Sequence, residues 1–282
     1  MAILLALCSA GVYGIADYCG GHASRRWPSA AVTFAGQAVG LVALLVLLPF
    51  LGDPVPPARD WAWGAAGGVA GVVGLVSFYR ALADGAMTVV APTTAAVSAT
   101  VPVIAGLALG ERPGTIALAG IGLAVLAIVL VSGAGGGHPQ ARPTPRATLA
   151  LAVLAGGGFG ALFVCLDRTT DGSGLWPFVP LRLVLIPIAF AIALRSRAQW
   201  RGRPDAALLR LILVSGLLDM AANVLFLLAN RRGLLAVVGV IAALYPVSTV
   251  VLALVRDGER VTRSQIVGLL VAAAAITLVA AG

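Results

Sequence analysis

Residues 103–122 read VIAGLALGERPGTIALAGIG, and residues 251–270 read VLALVRDGERVTRSQIVGLL. In both, an apolar run ends in a charged turn and a second apolar run follows. Gly110-Glu111-Arg112 and Gly258-Glu259-Arg260 therefore mark the same turn twice. At the same offset Phe78 meets Phe226, Ala81 meets Ala229, Gly85 meets Gly233 and Gly120 meets Gly268, without a gap. Chance identities are common in a chain this rich in Ala, Val and Leu. A matched Gly-Glu-Arg is not, because charged residues are scarce. Near the start of each half, Tyr13-Gly14 and Cys19 match Phe159-Gly160 and Cys165 at a slightly shorter offset. The chain is a duplication.

Composition says where such a chain lives. Of 282 residues, 60% are hydrophobic and only 11% charged, against about 25% charged in a soluble domain. A water-facing surface needs that missing charge, whereas a lipid-facing surface is destabilised by it. The formal charge of +8 does not point to nucleic acid. Its source is Arg in short clusters between apolar spans, the pattern of loops at a membrane surface. No basic face with neighbouring aromatics accompanies it. Cys8, Cys19 and Cys165 lie in apolar spans without CxxC or Cys/His spacing, so they read as small buried hydrophobes and no metal or cofactor is implied. Met1–Ala10 lacks a basic leader and its apolar run continues to Tyr18, so it reads as a retained first helix.

A spanning helix needs roughly 20 apolar residues, and helices satisfy their own backbone hydrogen bonds in lipid. Breaks at Arg, Asp, Pro and Gly clusters give the first five spans at Ala2–Gly20, Ala30–Leu51, Trp61–Leu82, Met87–Leu109 and Thr115–Val131. The second five are Ala147–Leu166, Leu175–Leu194, Ala206–Asn230, Leu234–Val255 and Ser264–Ala281. The expected fold is an all-α integral membrane protein of about ten transmembrane helices. Residues 1–132 form one repeat, 133–146 a Gly/Pro linker and 147–282 the other. An odd number of helices per repeat forces the second to sit inverted relative to the first, an architecture of secondary transporters with a site at the repeat interface. GxxxG spacing at Gly36/Gly40, Gly64/Gly68, Gly67/Gly71 and Gly156/Gly160 marks candidate close helix contacts.

Two five-helix halves, each with Gly-Glu-Arg between its fourth and fifth helices, resemble the EamA-type drug/metabolite transporter superfamily over nearly the whole chain. The resemblance implies a ten-helix bundle with a central cavity that moves small metabolites, amino acids or drugs. It also implies an Arg in the second helix of a half. Arg182 fits that place in the second half, while the first half offers Gln37. No Walker-type GxxxxGK[ST] is present, which argues against ATP-driven transport by this chain alone.

Ionisable groups inside a membrane span are costly and face a cavity or a partner. Asp17, Arg182 and Asp219 are the three that read as internal. Asn223 lies one turn beyond Asp219 on the same face. Arg182 reads either as a fork for a substrate carboxylate or phosphate, or as one half of a permanent pair with Asp219 or Asp17. Asp17, followed by Gly20-Gly21-His22, reads first as interfacial and second as a cavity group. Tyr13, Gln37, Tyr79 and Tyr245 are polar-tipped candidates for cavity lining, and Pro92, Pro102 and Pro246 for helix kinks. Glu111 and Glu259 read as local pairs with Arg112 and Arg260.

The function expected is secondary transport of a small-molecule substrate across the cell (inner) membrane, driven by a proton gradient or by the substrate gradient alone. The lipid bilayer is the other partner, nucleic acid is not one, and a homodimer is left open. The competing reading is an integral-membrane enzyme acting on a lipid-linked substrate. It lacks a clustered acid/base or metal motif, since His22 and His138 are both expected in loops. Orientation is contested. Loops after odd-numbered spans hold most of the Arg, including Arg25, Arg26, Arg195, Arg197, Arg201 and Arg203, which places both termini outside. The family resemblance implies cytoplasmic termini.

Overall fold

The computed structural model describes residues 1–85, 87–133, 146–195, 204–248, 252 and 263–281. The second Gly-Glu-Arg and nearly all of the central linker lie outside those residues. The first repeat holds α1 (Ala2–Ser24), α2 (Ser29–Leu51), α3 (Ala58–Asp84), α4 (Met87–Ala108) and α5 (Thr115–Gly133). The second holds α6 (Arg146–Asp167), α7 (Phe178–Arg195), α8 (Ala206–Asn230), α9 (Leu235–Ala242) and α10 (Arg263–Ala281). All regular structure among the described residues is helical. Six of these helices, α1, α2, α3, α6, α7 and α8, are by themselves long and apolar enough to cross a membrane.

The helices pack as a duplication requires. α1 lies along α8, and its counterpart α6 lies along α3. α3 meets α7 as α8 meets α2, and α4 meets α6 as α9 meets α1. α2 with α7, α4 with α9, and α5 with α10 pair with their own counterparts. Exchanging the halves maps each of these pairs onto another of them or onto itself, as a pseudo-two-fold axis through the bundle requires. Outside, large apolar side chains such as Leu4, Val46, Phe50, Ile104 and Leu270 are exposed. In water so much apolar surface would drive association; facing lipid it is the expected covering.

Helix ends follow local chemistry. α2 stops at Gly52, whose φ of +68° is the left-handed conformation that glycine adopts most readily, and Pro54 follows. Asp205 caps α8 by accepting from the Leu208 amide at 2.8 Å. That amide, and then Arg26 at 2.6 Å, hold the Asp205 carboxyl below its ordinary range. α1 runs through Gly20-Gly21 to Ser24, longer than expected. The ninth span is not continuous. α9 breaks at Ala243–Leu244 and resumes as one turn over 245–248. Pro246 has no N–H to give the Ala242 carbonyl, and Leu244 instead donates to Ile241 three residues back at 3.1 Å.

Glycine sets the closest crossings, where backbones touch and no Cβ fits. A Cβ on Gly158 of α6 would lie 2.6 Å from the Gly74 amide nitrogen of α3. On Gly68 of α3 it would lie 2.3 Å from the Leu181 carbonyl of α7, and on Gly156 of α6 2.5 Å from the Thr94 carbonyl of α4. α2 crosses α8 at Gly36 and Gly216 in an unequal way. A Cβ on Gly216 would sit 2.2 Å from the Gly36 carbonyl oxygen, whereas one on Gly36 meets nothing closer than 3.7 Å. Gly216→Ala should therefore push two backbones apart and cost about 1–3 kcal/mol. Gly36→Ala should be neutral or mildly stabilising through helix propensity. Thermal unfolding of the two variants in detergent checks this; equal effects would contradict the crossing.

Candidate functional site

The crossing of α2 and α8 brings three polar side chains into one buried cluster. Arg182 of α7 is 1% exposed. Its Nη2 donates to Asp219 Oδ2 at 3.2 Å and lies 3.1 Å from Met220 Sδ. Its Nη1 donates to Gln37 Oε1. Gln37 Nε2 in turn donates to Asp219 Oδ2 at 2.8 Å. The amide of Gln37 is oriented by having a cation on one side and an anion on the other. Gly40 makes the space for the guanidinium, since a Cβ there would lie 2.9 Å from Arg182 Cζ. Arg182 Nε has no hydrogen-bond partner among the described residues.

On one side of this cluster is a cavity lined by side chains from α1, α2, α3, α4, α6, α7 and α8 and by Tyr245 just after α9. The space between its walls, open solvent included, is about 550 Å³. Tyr13 and Asp17 reach it from successive turns of α1, and Asp219 and Asn223 from successive turns of α8. Gln37, Ser98 and Tyr245 complete its polar lining; Phe159, Phe163 and leucines supply the apolar part. Asn223 Nδ2 is turned back onto the Asp219 carbonyl at 2.7 Å. Tyr245 OH lies 3.4 Å from the Ala91 carbonyl. Tyr79 lines a smaller recess next door, with its hydroxyl 3.1 Å from Ser215 Oγ.

Of the eight residues singled out in the sequence, Tyr13, Asp17, Gln37, Asp219, Asn223 and Tyr245 line this one cavity, and Tyr79 lines the recess next to it instead. The eighth, Arg182, stands behind the wall, in contact with Gln37 and Asp219 and not among the lining residues. The interfacial reading of Asp17 is corrected. The helix continues past it to Ser24, so Asp17 lies at cavity depth and is 9% exposed. The local pairing expected of Glu111 is corrected too. Its carboxylate accepts from the Leu235 and Ala236 amides at 2.7 and 2.9 Å, capping α9 from the other half of the chain. Cys8 is exposed, contrary to the buried expectation, while Cys19 and Cys165 are partly buried.

Phe159 and Phe163 were missed in the sequence, though a signal existed. The offset that pairs Tyr13 with Phe159 also pairs Asp17 with Phe163, so the two cavity positions of α1 predict the two of α6. Ser98 and the leucines had no such signal in helices that are apolar all round.

At the membrane face shared with the N-terminus, polar contacts close the bundle. Arg231 Nη2 donates to Ser173 Oγ at 3.1 Å and to the Gly174 carbonyl at 2.8 Å, and burial pushes its guanidinium below the usual range. Asp60 accepts from Thr170 Oγ1 at 2.5 Å and from the Thr170 amide at 3.2 Å. Asn230 Nδ2 donates to Asp167 Oδ1 at 2.9 Å.

Two repeats of helices packed about a pseudo-two-fold axis, with a cavity between them holding carboxyl groups, define a multi-pass membrane protein of transporter architecture. The sequence profile of the EamA-like transporter family matches residues 1–133 and again 146–281. The chain belongs to that family, and is a membrane transporter of the drug/metabolite type. No curated protein matches it. Among solved structures, one described only as "Crystal structure of protein" is similar over 98% of this chain and 95% of that one. Its TM-score is 0.69 and its sequence identity 18%, a likeness of fold alone.

Breaking a buried ion pair strands one charge, at a cost of roughly 3–5 kcal/mol, whereas replacing both partners with apolar groups is often neutral. Arg182→Met and Asp219→Leu should each destabilise by that amount alone, and the double variant should recover most of it. Equilibrium unfolding in mixed micelles measures the cycle; additive losses would show that the two side chains do not act as a pair.

Proposed function

We propose that the chain is a secondary transporter of the cell (inner) membrane, carrying a small solute between the two faces by alternating access. The observation that supports this best is the cavity itself. Its walls come from both halves, so a rocking of residues 1–132 against 147–282 would open it first to one side and then to the other. A solute held there contacts both repeats and moves with neither. The pseudo-symmetric packing gives the two end states similar architecture, which alternating access requires.

The same cavity offers a route to coupling. A carboxyl group lining it can hold a proton or a positive group of a solute, but not both at once. Asp17 and Asp219 are the two carboxyl groups so placed. Protons moving down their gradient would then drive the solute, as chains of acidic residues do in membrane pumps and transporters.

The test is flux in proteoliposomes loaded with a metabolite panel, under an imposed pH gradient. The wild type should show gradient-driven movement of at least one solute, and Asp219→Asn should reduce it at least tenfold. Movement of no solute under any gradient would contradict the transporter reading. Movement that survives Asp219→Asn at full rate would keep the reading and remove Asp219 from coupling.

A further inference from the structure

We propose that the solute is an organic cation with an apolar body, and that Asp17 is the residue that takes its charge. This rests on the transporter reading and adds the sign of the charge the cavity accepts.

The argument begins with an inventory of charge. Three ionisable side chains lie at or behind the cavity wall: Asp17, Asp219 and Arg182. Arg182 and Asp219 neutralise one another directly, and Gln37 fills the space between them. The guanidinium is therefore held by the protein through both of its terminal nitrogens and sits outside the lining, so it is not presented to a solute. An incoming anion would have to displace Asp219 from it and would leave that carboxylate buried and unpaired.

Asp17 is in the opposite situation. It lines the cavity, is nine-tenths buried, and its carboxylate makes no hydrogen bond or ion pair with any described residue. The ionisable groups that face it are Tyr13 on its own helix, Tyr79 on α3, Asp219 on α8 and Tyr245 just after α9. None is a cation. Asp219, the one other acid among them, has Arg182 already. The cavity thus presents one carboxyl group with no cation beside it, in a setting where attraction and repulsion are several-fold stronger than in water. A cationic solute completes the pairing that the fold leaves open.

The walls say what the rest of that solute is like. Phe159 packs edge-on against Phe78 at 5.5 Å, and Phe78 against Tyr245 at 6.2 Å. Tyr13 lies 6.2 Å from Phe163, which stacks on Phe226 at 4.1 Å. Of these rings Tyr13, Phe159, Phe163 and Tyr245 line the same cavity as Asp17 and offer ring surface to a positive group and apolar surface to its body. A small hard metal cation wants about six oxygen ligands, and rings and leucines do not supply them.

The experiment is titration calorimetry on the purified full chain in detergent with three like-sized compounds. These are benzyltrimethylammonium (cation), phenylacetamide (neutral) and phenylacetate (anion). The wild type should bind the cation at least tenfold more tightly than either other compound. Asp17→Asn should erase that preference, and Asp17→Glu should retain it, with circular dichroism showing both variants folded. If Asp17→Asn does not fold, the wild-type preference and Asp17→Glu still decide. The proposal is overturned if phenylacetate binds as tightly as the cation, if none of the three binds, or if the preference survives in folded Asp17→Asn. Counterflow in proteoliposomes separates the two levels. Cation bound at Asp17 but not carried would sink the transporter reading alone, whereas phenylacetate carried in preference to the cation would sink the charge assignment alone.

Discussion

An arginine buried within a membrane bundle must be met, and much of this structure is arranged around meeting Arg182. Asp219 supplies the countercharge and Gln37 the bridging amide, while Gly40 supplies the room. Each of those depends on α2 and α8 lying backbone to backbone at Gly36 and Gly216, because a wider crossing would pull Gln37 and Asp219 apart. The same crossing sets the wall of the cavity. Satisfying one charge thus fixes the spacing of three helices, α2, α7 and α8, and decides which polar groups remain available to a solute.

The duplication explains the scaffold, and departures from it explain the site. α2 and α7 are counterparts and pack on each other. Arg182 and Gln37, the residue that the matching stretch of the first half offers, touch between these two helices. Two arginines there would face one another within hydrogen-bonding reach, and the glutamine removes that repulsion while keeping an acceptor. Asp17 corresponds to Phe163 in the other half. The backbone is close to symmetric, whereas the cavity is acidic on one side and aromatic on the other. A symmetric frame suits two end states of similar energy; an asymmetric lining suits the recognition of a solute with a charged end and an apolar one.

Much of the fold was legible because lipid imposes simple rules. Apolar runs of spanning length, breaks at Arg, Asp and Gly, and a repeated Gly-Glu-Arg were enough for the helices, the duplication and the family. Where reading failed, the cause was a long-range partner. Nothing next to Glu111 in sequence says that it caps α9, which lies more than a hundred positions away. Nothing next to Asp17 says whether its helix ends or continues, since glycines follow it in either case. The break in α9 follows from Pro246 only once the missing N–H is set against the Ala242 carbonyl. Scarcity made the charged candidates visible, but it could not tell Arg182, held behind the wall, from Asp17, which is open to the cavity.

That distinction is the central claim, and accessibility measures it most directly. In a chain with Cys8, Cys19 and Cys165 changed to Ala, Asp17→Cys and Arg182→Cys can each be exposed to a small cationic thiol reagent in proteoliposomes. The account predicts that the position 17 thiol is modified from the cavity, while the position 182 thiol is inert. Rapid modification at 182, slowed by solute, together with an inert position 17 would place the charge that meets the solute on Arg182 and contradict the account.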